Sequence, residues 1–182
     1  MTASGSLGPL PTDRRLTTVD EHFVRAPLEI LFDLAADVER WPVHLTHYRY
    51  VRMLERTADG GLVEMSANRP FGIADWPTWW TSLMTVSRPG EGPPPSIRFR
   101  HVRGVTAGMD VEWSFESRPN GTVARIVHVW NGPAVPLIGE LAARMVIGPV
   151  FVHGIASRTL AGLAKVAERS TKGASVSEVS SE

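Results

Sequence analysis

The sequence predicts an α+β domain in which a curved antiparallel sheet wraps around a long C-terminal helix. Three observations predict it. Seven β-rich segments follow one another with turn residues between most of them. They do not alternate with helices as a parallel sheet requires. One long amphipathic segment near the C-terminus carries an apolar stripe, Val152, Ile155, Ala156, Thr159, Leu160, Leu163 and Val166. A sheet wider than one helix must curve to be covered by it. Curving leaves space between the two, a natural small-molecule pocket.

Each element has its own signal. Leu16 to Val24 is the first strand, rich in β-branched and apolar residues. Ala26-Pro27 stops it and opens a helix, with Glu29 in the first turn and Leu28, Leu31, Phe32, Ala35 and Val38 on one face. Trp41-Pro42 is expected to break that helix, Trp41 serving as its closing residue, and Pro42 to His47 reads as a short helical segment. Tyr48 to Arg56 and Leu62 to Arg69 flank Asp59-Gly60-Gly61, a hairpin turn. Thr78 to Ser87 and Ser96 to Arg103 flank a Pro/Gly loop. Asp110 to Ser117 and Thr122 to Trp130 flank Pro119-Asn120-Gly121, and the Asn-Gly pair is the strongest local hairpin signal in the chain. The final helix is expected from about Val150 to about Arg169.

Composition narrows the function. The 182 residues are 43% hydrophobic and 21% charged, with 19 basic and 19 acidic side chains. A balanced charge lacks the basic surplus of a nucleic-acid partner. With no cysteine there are no disulfides and no thiolate metal sites. Met1 to Arg15 has no apolar core of a signal peptide, and Met145 to Ser157 is shorter than the roughly 20 apolar residues of a bilayer span. The expectation is a cytoplasmic protein without stable membrane insertion. Residues 1–15 and the Ser-rich 170–182 are expected to be disordered around a single domain, 16–169.

The motifs carry a resemblance. Val24-Arg25-Ala26-Pro27, Leu31-Phe32-Asp33 and Asp37-Val38-Glu39-Arg40-Trp41-Pro42 resemble the opening of bacterial polyketide aromatase/cyclases, within the START-like or Bet v 1-like helix-grip superfamily. Tyr48, Trp80, Ser82, Arg100, His101, Met109 and Trp113 match the same pattern further on. The resemblance covers about Thr18 to Arg169 and implies a helix-grip fold with an internal cavity. In the cyclase branch it implies ring closure of a poly-β-ketone chain without a cofactor. It also implies a hydrophobic small-molecule partner, an acyl carrier protein and a homodimer as further partner candidates. The chain departs from the pattern at Met84, where an arginine is expected two residues after Ser82. Arg69 or Arg100 would then supply the positive charge.

Aldol ring closure needs a base for the proton between two carbonyls and a donor for the developing enolate oxygen. Histidine suits the first role. His128 shares a strand face with Ala124, Ile126 and Trp130, which is read as the inner face. His101 and Arg100 are adjacent on a strand, so one of them faces in. Alternation with Ile97 and Phe99 favours His101, whereas the family match favours Arg100, and the reading leans to Arg100. Tyr48 and Ser82 are hydrogen-bond donors to ligand carbonyls. Trp80, Met84, Trp113 and Trp130 are wall residues for a flat ligand. Thr159 is a further contact, although a hydroxyl bonded back to its own helix is the commoner fate of such a residue. Arg69 is placed at the pocket mouth. His44 and His47 sit three apart but lack a third ligand, so no metal site is assigned. The rival function is a quinone or lipid carrier, with the apolar Pro136 to Val152 as a membrane-resting mouth. A third is a self-resistance protein that sequesters a natural product.

Overall fold

The computed structural model describes residues 7–71, 74–132 and 149–179. Seven strands, β1 (Leu16–Val24), β2 (Tyr48–Thr57), β3 (Gly60–Phe71), β4 (Ala74–Ser87), β5 (Ser96–Gly104), β6 (Asp110–Arg118) and β7 (Gly121–Trp130), form one antiparallel sheet. Their order across the sheet is β1-β7-β6-β5-β4-β3-β2. Consecutive strands β2 to β7 are meander neighbours, and β1 closes the far edge against β7. Helices α1 (Leu28–Ala36) and α2 (Trp41–His44) lie between β1 and β2, and α3 (Pro149–Val179) follows the sheet. The sheet curves around α3 as the expected helix-grip arrangement requires.

Two turns show why the chain reverses where it does. Asn120 has a positive φ of 67°, and a Cβ on Gly121 would stand 2.2 Å from the Val24 carbonyl oxygen. The Asn-Gly pair therefore serves both the turn and the close approach of β1. At the β2–β3 turn a Cβ on Gly60 would meet the Met84 oxygen at 2.0 Å. Glycine there lets β4 pair directly against the start of β3.

Two boundaries differ from the sequence expectation. Helix α1 ends at Ala36, a 3₁₀ turn occupies Val38–Arg40, and Trp41-Pro42 begins α2 rather than ending α1. Proline in a first turn leaves no hydrogen bond unmade, so it is a natural helix start. Helix α3 continues to Val179, past the expected end at Arg169. The composition change marks instead the end of the buried stripe, whose last fully buried residue among the described side chains is Ala167. Beyond it, Ser170 and Thr171 donate their hydroxyls back to the Val166 and Ala167 carbonyls.

The start of the chain is tied to the fold from residue 7. The Gly8 carbonyl accepts from Arg98 at 2.5 Å and the Leu7 carbonyl from Arg100 at 3.5 Å. The expected mouth segment, Pro136 to Val152, falls largely outside the described residues, and its last four residues begin α3.

One core joins these elements. Leu31, Phe32 and Ala35 of α1, Ile97 and Phe99 of β5, Phe115 of β6 and Leu160 and Leu163 of α3 are all buried in it. Gly162 lets α3 lie against the α2–β2 connection, since a Cβ there would stand 2.2 Å from Leu45 Cδ2.

Candidate functional site

A cavity lies between the inner sheet face and the N-terminal half of α3. Met65 and Trp80 form one side and Phe99, Val111 and Trp113 another. Trp41, Tyr48 and α3 residues Ile155, Ala156 and Thr159 close it. Strand alternation builds this wall: Trp80, Trp113 and Ile126 are all inward and at most 5% exposed. Trp41 packs against Tyr48, Trp113 and Phe99 at ring centroids 5.1, 5.6 and 6.5 Å away. Its indole N–H donates to the Leu34 carbonyl at 3.2 Å. The free space is about 60 Å³. Sites for drug-sized ligands run roughly 300–1,000 Å³, so a polycyclic ligand requires the walls to move.

Two histidines open onto this space. His101 on β5 is buried and stacks on Trp80, with ring centroids 5.9 Å apart and planes 18° apart. The corner after β5 folds over it: Thr106, wholly buried, places Oγ1 2.7 Å from His101 Nδ1. The His101 N–H donates to the Met109 carbonyl, and the Gly108 N–H donates to the His101 carbonyl. This contact holds the ring edge at Nδ1 and turns the Nε2 edge away from the corner. His128 on β7 lines the cavity beside Ile126, and its Nδ1 is 3.4 Å from Thr18 Oγ1 on β1.

A third polar group comes from the first residue of β2. Tyr48 is buried, with its hydroxyl 3.5 Å from Thr159 Oγ1. Thr159 donates to the Ile155 carbonyl at 2.7 Å, the back-bond expected of a helical threonine, and still lines the cavity. The same Oγ1 is 3.1 Å from His47 Nε2. Burial, with the nearby Arg158 charge, lowers the His47 pKa to about 4, so this imidazole is neutral near pH 7.

The structure thus gathers His101, His128, Tyr48, Trp80, Trp113 and Thr159 around one cavity. Arg100 is not among them. It points to the outer face, where its Nε–H donates to Asp110 Oδ1 at 2.8 Å. The register places Asp110 directly opposite it on β6. Alternation with the buried Ile97 and Phe99 decides the face, and the carboxylate across the strand partners the charge there. The lean toward Arg100 is corrected in favour of His101.

Other placements also change. Ser82 faces inward and is fully buried, but lies outside the cavity lining. Met84, two residues on, lines a second cleft instead. Trp130 is not a cavity wall: its indole N–H donates to the Ala107 carbonyl at 3.1 Å and pins the β5–β6 corner. Arg69 lies on β3, but its side chain is outside the described residues, as is that of Trp76. Trp79 is half exposed on the outer face. Sequence reading missed Thr106, His47 and the wall role of Trp41. Gly104 and Gly108, both at positive φ, mark the tight corner that carries Thr106. For His47 the only signal is its place next to Tyr48.

Comparison with known proteins agrees with this architecture. Residues 24–153 match the family model described as polyketide cyclase / dehydrase and lipid transport. A putative polyketide cyclase of Streptomyces halstedii is 28% identical over 59% of this chain and 94% of the relative. One from Streptomyces cyaneus is 27% identical over 58% of this chain and 66% of the relative. Among solved structures, the Zhui aromatase/cyclase of a Streptomyces species superposes with a TM-score of 0.68 at 18% identity, over 84% of this chain and 93% of that one. A START superfamily protein of Mycobacterium smegmatis gives 0.57 at 17% identity, over 86% of this chain and 97% of that one. At such identities the structural likeness shows the fold, whereas the family match spans most of the sequence. The chain belongs to the polyketide cyclase / dehydrase and lipid transport family.

Proposed function

We propose that the protein binds a poly-β-ketone or aromatic polyketide intermediate between sheet and α3 and promotes its aldol cyclisation and dehydration. One observation carries this reading: His101 and His128 open onto the same aromatic cavity as the Tyr48 hydroxyl. One imidazole removes a proton from the carbon between two carbonyls, breaking the C–H bond and leaving an enolate. The enolate carbon attacks a ketone carbon, forming the C–C bond and an alkoxide. The protonated imidazole returns its proton to that alkoxide. Loss of water from the resulting alcohol, with removal of a neighbouring proton, gives the double bond that leads to an aromatic ring. Tyr48 donates to the carbonyl or enolate oxygen during these steps. The tryptophans hold one folded conformer of the chain, which lowers the entropic part of the barrier. The reaction needs no cofactor.

The test is incubation of the purified protein with a thioester-bound polyketone, with the cyclised products resolved by mass spectrometry. A change in ring pattern relative to spontaneous cyclisation, lost in His128→Phe and His101→Phe, is the expected result. The spontaneous pattern in the presence of wild-type protein would reject it.

The family description also includes lipid transport, and Met84 stands where the resemblance expects an arginine. These favour a second reading, a carrier of quinone or lipid. Native mass spectrometry separates the two: a co-purifying lipid or quinone, with no affinity for polycyclic polyketides, supports the carrier.

A further inference from the structure

The main cavity is too small for a polycyclic ligand, and a second hollow lies on the same face of the sheet. This cleft, about 450 Å³, opens between the 3₁₀ turn after α1, the β2–β3 hairpin and the end of β4. Along the inner face of β4, Trp80 lines the cavity and Met84 lines the cleft. The two residues are about 13 Å apart along the strand. Between them stands Ser82, paired with Val63 of β3, and both are fully buried. Ser82 Oγ has no hydrogen-bond partner among the described residues. A buried hydroxyl of this kind is rare in a finished core and calls for an explanation.

The residues beside this partition are of a kind that can yield. Met65 lines the cavity, while Met53 and Met84 line the cleft. Methionine has several rotatable bonds and refills irregular space at low cost. Rotation of these side chains widens the hollows without moving backbone. We infer that cavity and cleft are two ends of one channel for an elongated polycyclic ligand, and that Ser82 Oγ hydrogen-bonds an oxygen at the middle of that ligand. This rests on the reading of the cavity as a polyketide site and extends it to the ligand's length and its far end.

The charge of the cleft defines that end. Four carboxylates, Asp37, Glu39, Asp59 and Glu91, line it together with two guanidiniums, Arg56 and Arg88. Both arginines are already engaged: Arg56 with Glu39, and Arg88 with Asp33 at 3.6 Å. An anionic tail meets a net negative rim with no cation left for it. A neutral, hydroxylated end donates its O–H groups to the carboxylates.

The chain has no cysteine, and Ala58 is an exposed residue of the β2–β3 turn at the cleft. Ala58→Cys therefore gives one attachment point, away from the core, for a bulky maleimide. Affinities of labelled and unlabelled protein are measured by equilibrium dialysis with a dihydroxynaphthalene and with a neutral hydroxynaphthacenequinone. The label is expected to weaken the four-ring ligand at least about tenfold, roughly 1.4 kcal/mol, and to leave the two-ring ligand unchanged. Equal affinities with and without the label for both ligands overturn the channel and leave the cavity reading standing. Absence of binding by either ligand to unlabelled protein overturns both. A carboxylated four-ring ligand is expected to bind more weakly than its methyl ester, and equal affinities overturn the neutral end.

Discussion

Strands β5 and β6 present two faces with opposite chemistry. Inward, Phe99, His101, Val111 and Trp113 form an aromatic wall with one imidazole in it. Outward, Arg98, Arg100, Asp110 and Glu112 form an ionic cluster. Arg98 is 6% exposed and Asp110 1%, so the centre of this cluster is as buried as the wall, covered in part by the segment before β1, while Arg100 and Glu112 reach toward solvent. Arg14 of that segment adds a further charge 4.0 Å from Asp110. The two faces share one backbone and differ only in parity. The difference is one of placement: fixed charges sit on the face away from the cavity, and groups that can exchange a proton or donate a hydrogen bond sit at the cavity.

The largest effect should come from the inner face. His128→Phe or His101→Phe removes a proposed proton-transfer group and is expected to lower cyclisation by roughly 10²–10⁴-fold, the usual contribution of a general acid or base. Urea midpoints should change far less. Single-turnover rates and unfolding curves on the same samples check the separation. A variant that unfolds in parallel with its loss of activity would assign the histidine to packing instead.

On the outer face the order reverses. Asp110→Ala leaves the buried Arg98 guanidinium with Glu112 at 3.3 Å as its remaining carboxylate, in place of two, and Arg100 without its partner at 2.8 Å. Breaking a buried ion pair from one side costs about 3–5 kcal/mol. The unfolding midpoint should fall accordingly, while ligand affinity of the folded fraction stays the same. Loss of affinity without loss of stability would join the two faces into one site.

Arg100→Gln is the sharper and smaller test. Its side chain is 40% exposed, so its ion pair is worth about 1 kcal/mol after solvent screening. Activity should be unchanged, because the side chain faces away from the cavity. A cyclisation defect comparable to that of His101→Phe would restore Arg100 to the site.

This contrast also shows what the sequence could say. All seven strands were legible because alternation and turn residues agree, as at Asn120-Gly121. The inward face of β7 was legible because Ala124, Ile126 and Trp130 mark one side, even though Val127 and Val129 flank it. Arg100 was misplaced because a family pattern was set against the local alternation of Ile97 and Phe99, and the alternation was the physical constraint. Thr106 and the Trp130 indole act through contacts between segments 5 and 23 residues apart, formed only when the corner folds back. Met84 fell in another hollow because no local pattern says where a helix crosses a sheet.

The smallest effect tests the neutral network beside the cavity. His47 is held at about 4, below its usual 6.5, by burial and by Arg158 on α3. Above pH 6.5 the folded and unfolded chains both carry a neutral His47, and it adds no pH dependence. As pH falls through 6.5 the unfolded chain takes up a proton that the folded chain refuses until about pH 4. The unfolded state binds more protons in that window, so stability falls as pH falls across it. Below about pH 4 the difference is complete. His47→Gln removes the titration and keeps a donor toward Thr159 Oγ1, now 3.1 Å from His47 Nε2. The urea midpoint of this variant should decline less than that of the wild type between those limits, and the two should run parallel above pH 6.5. Parallel curves throughout would mean that the imidazole opens to solvent and protonates without cost, and that Thr159 and Tyr48 are not held by it.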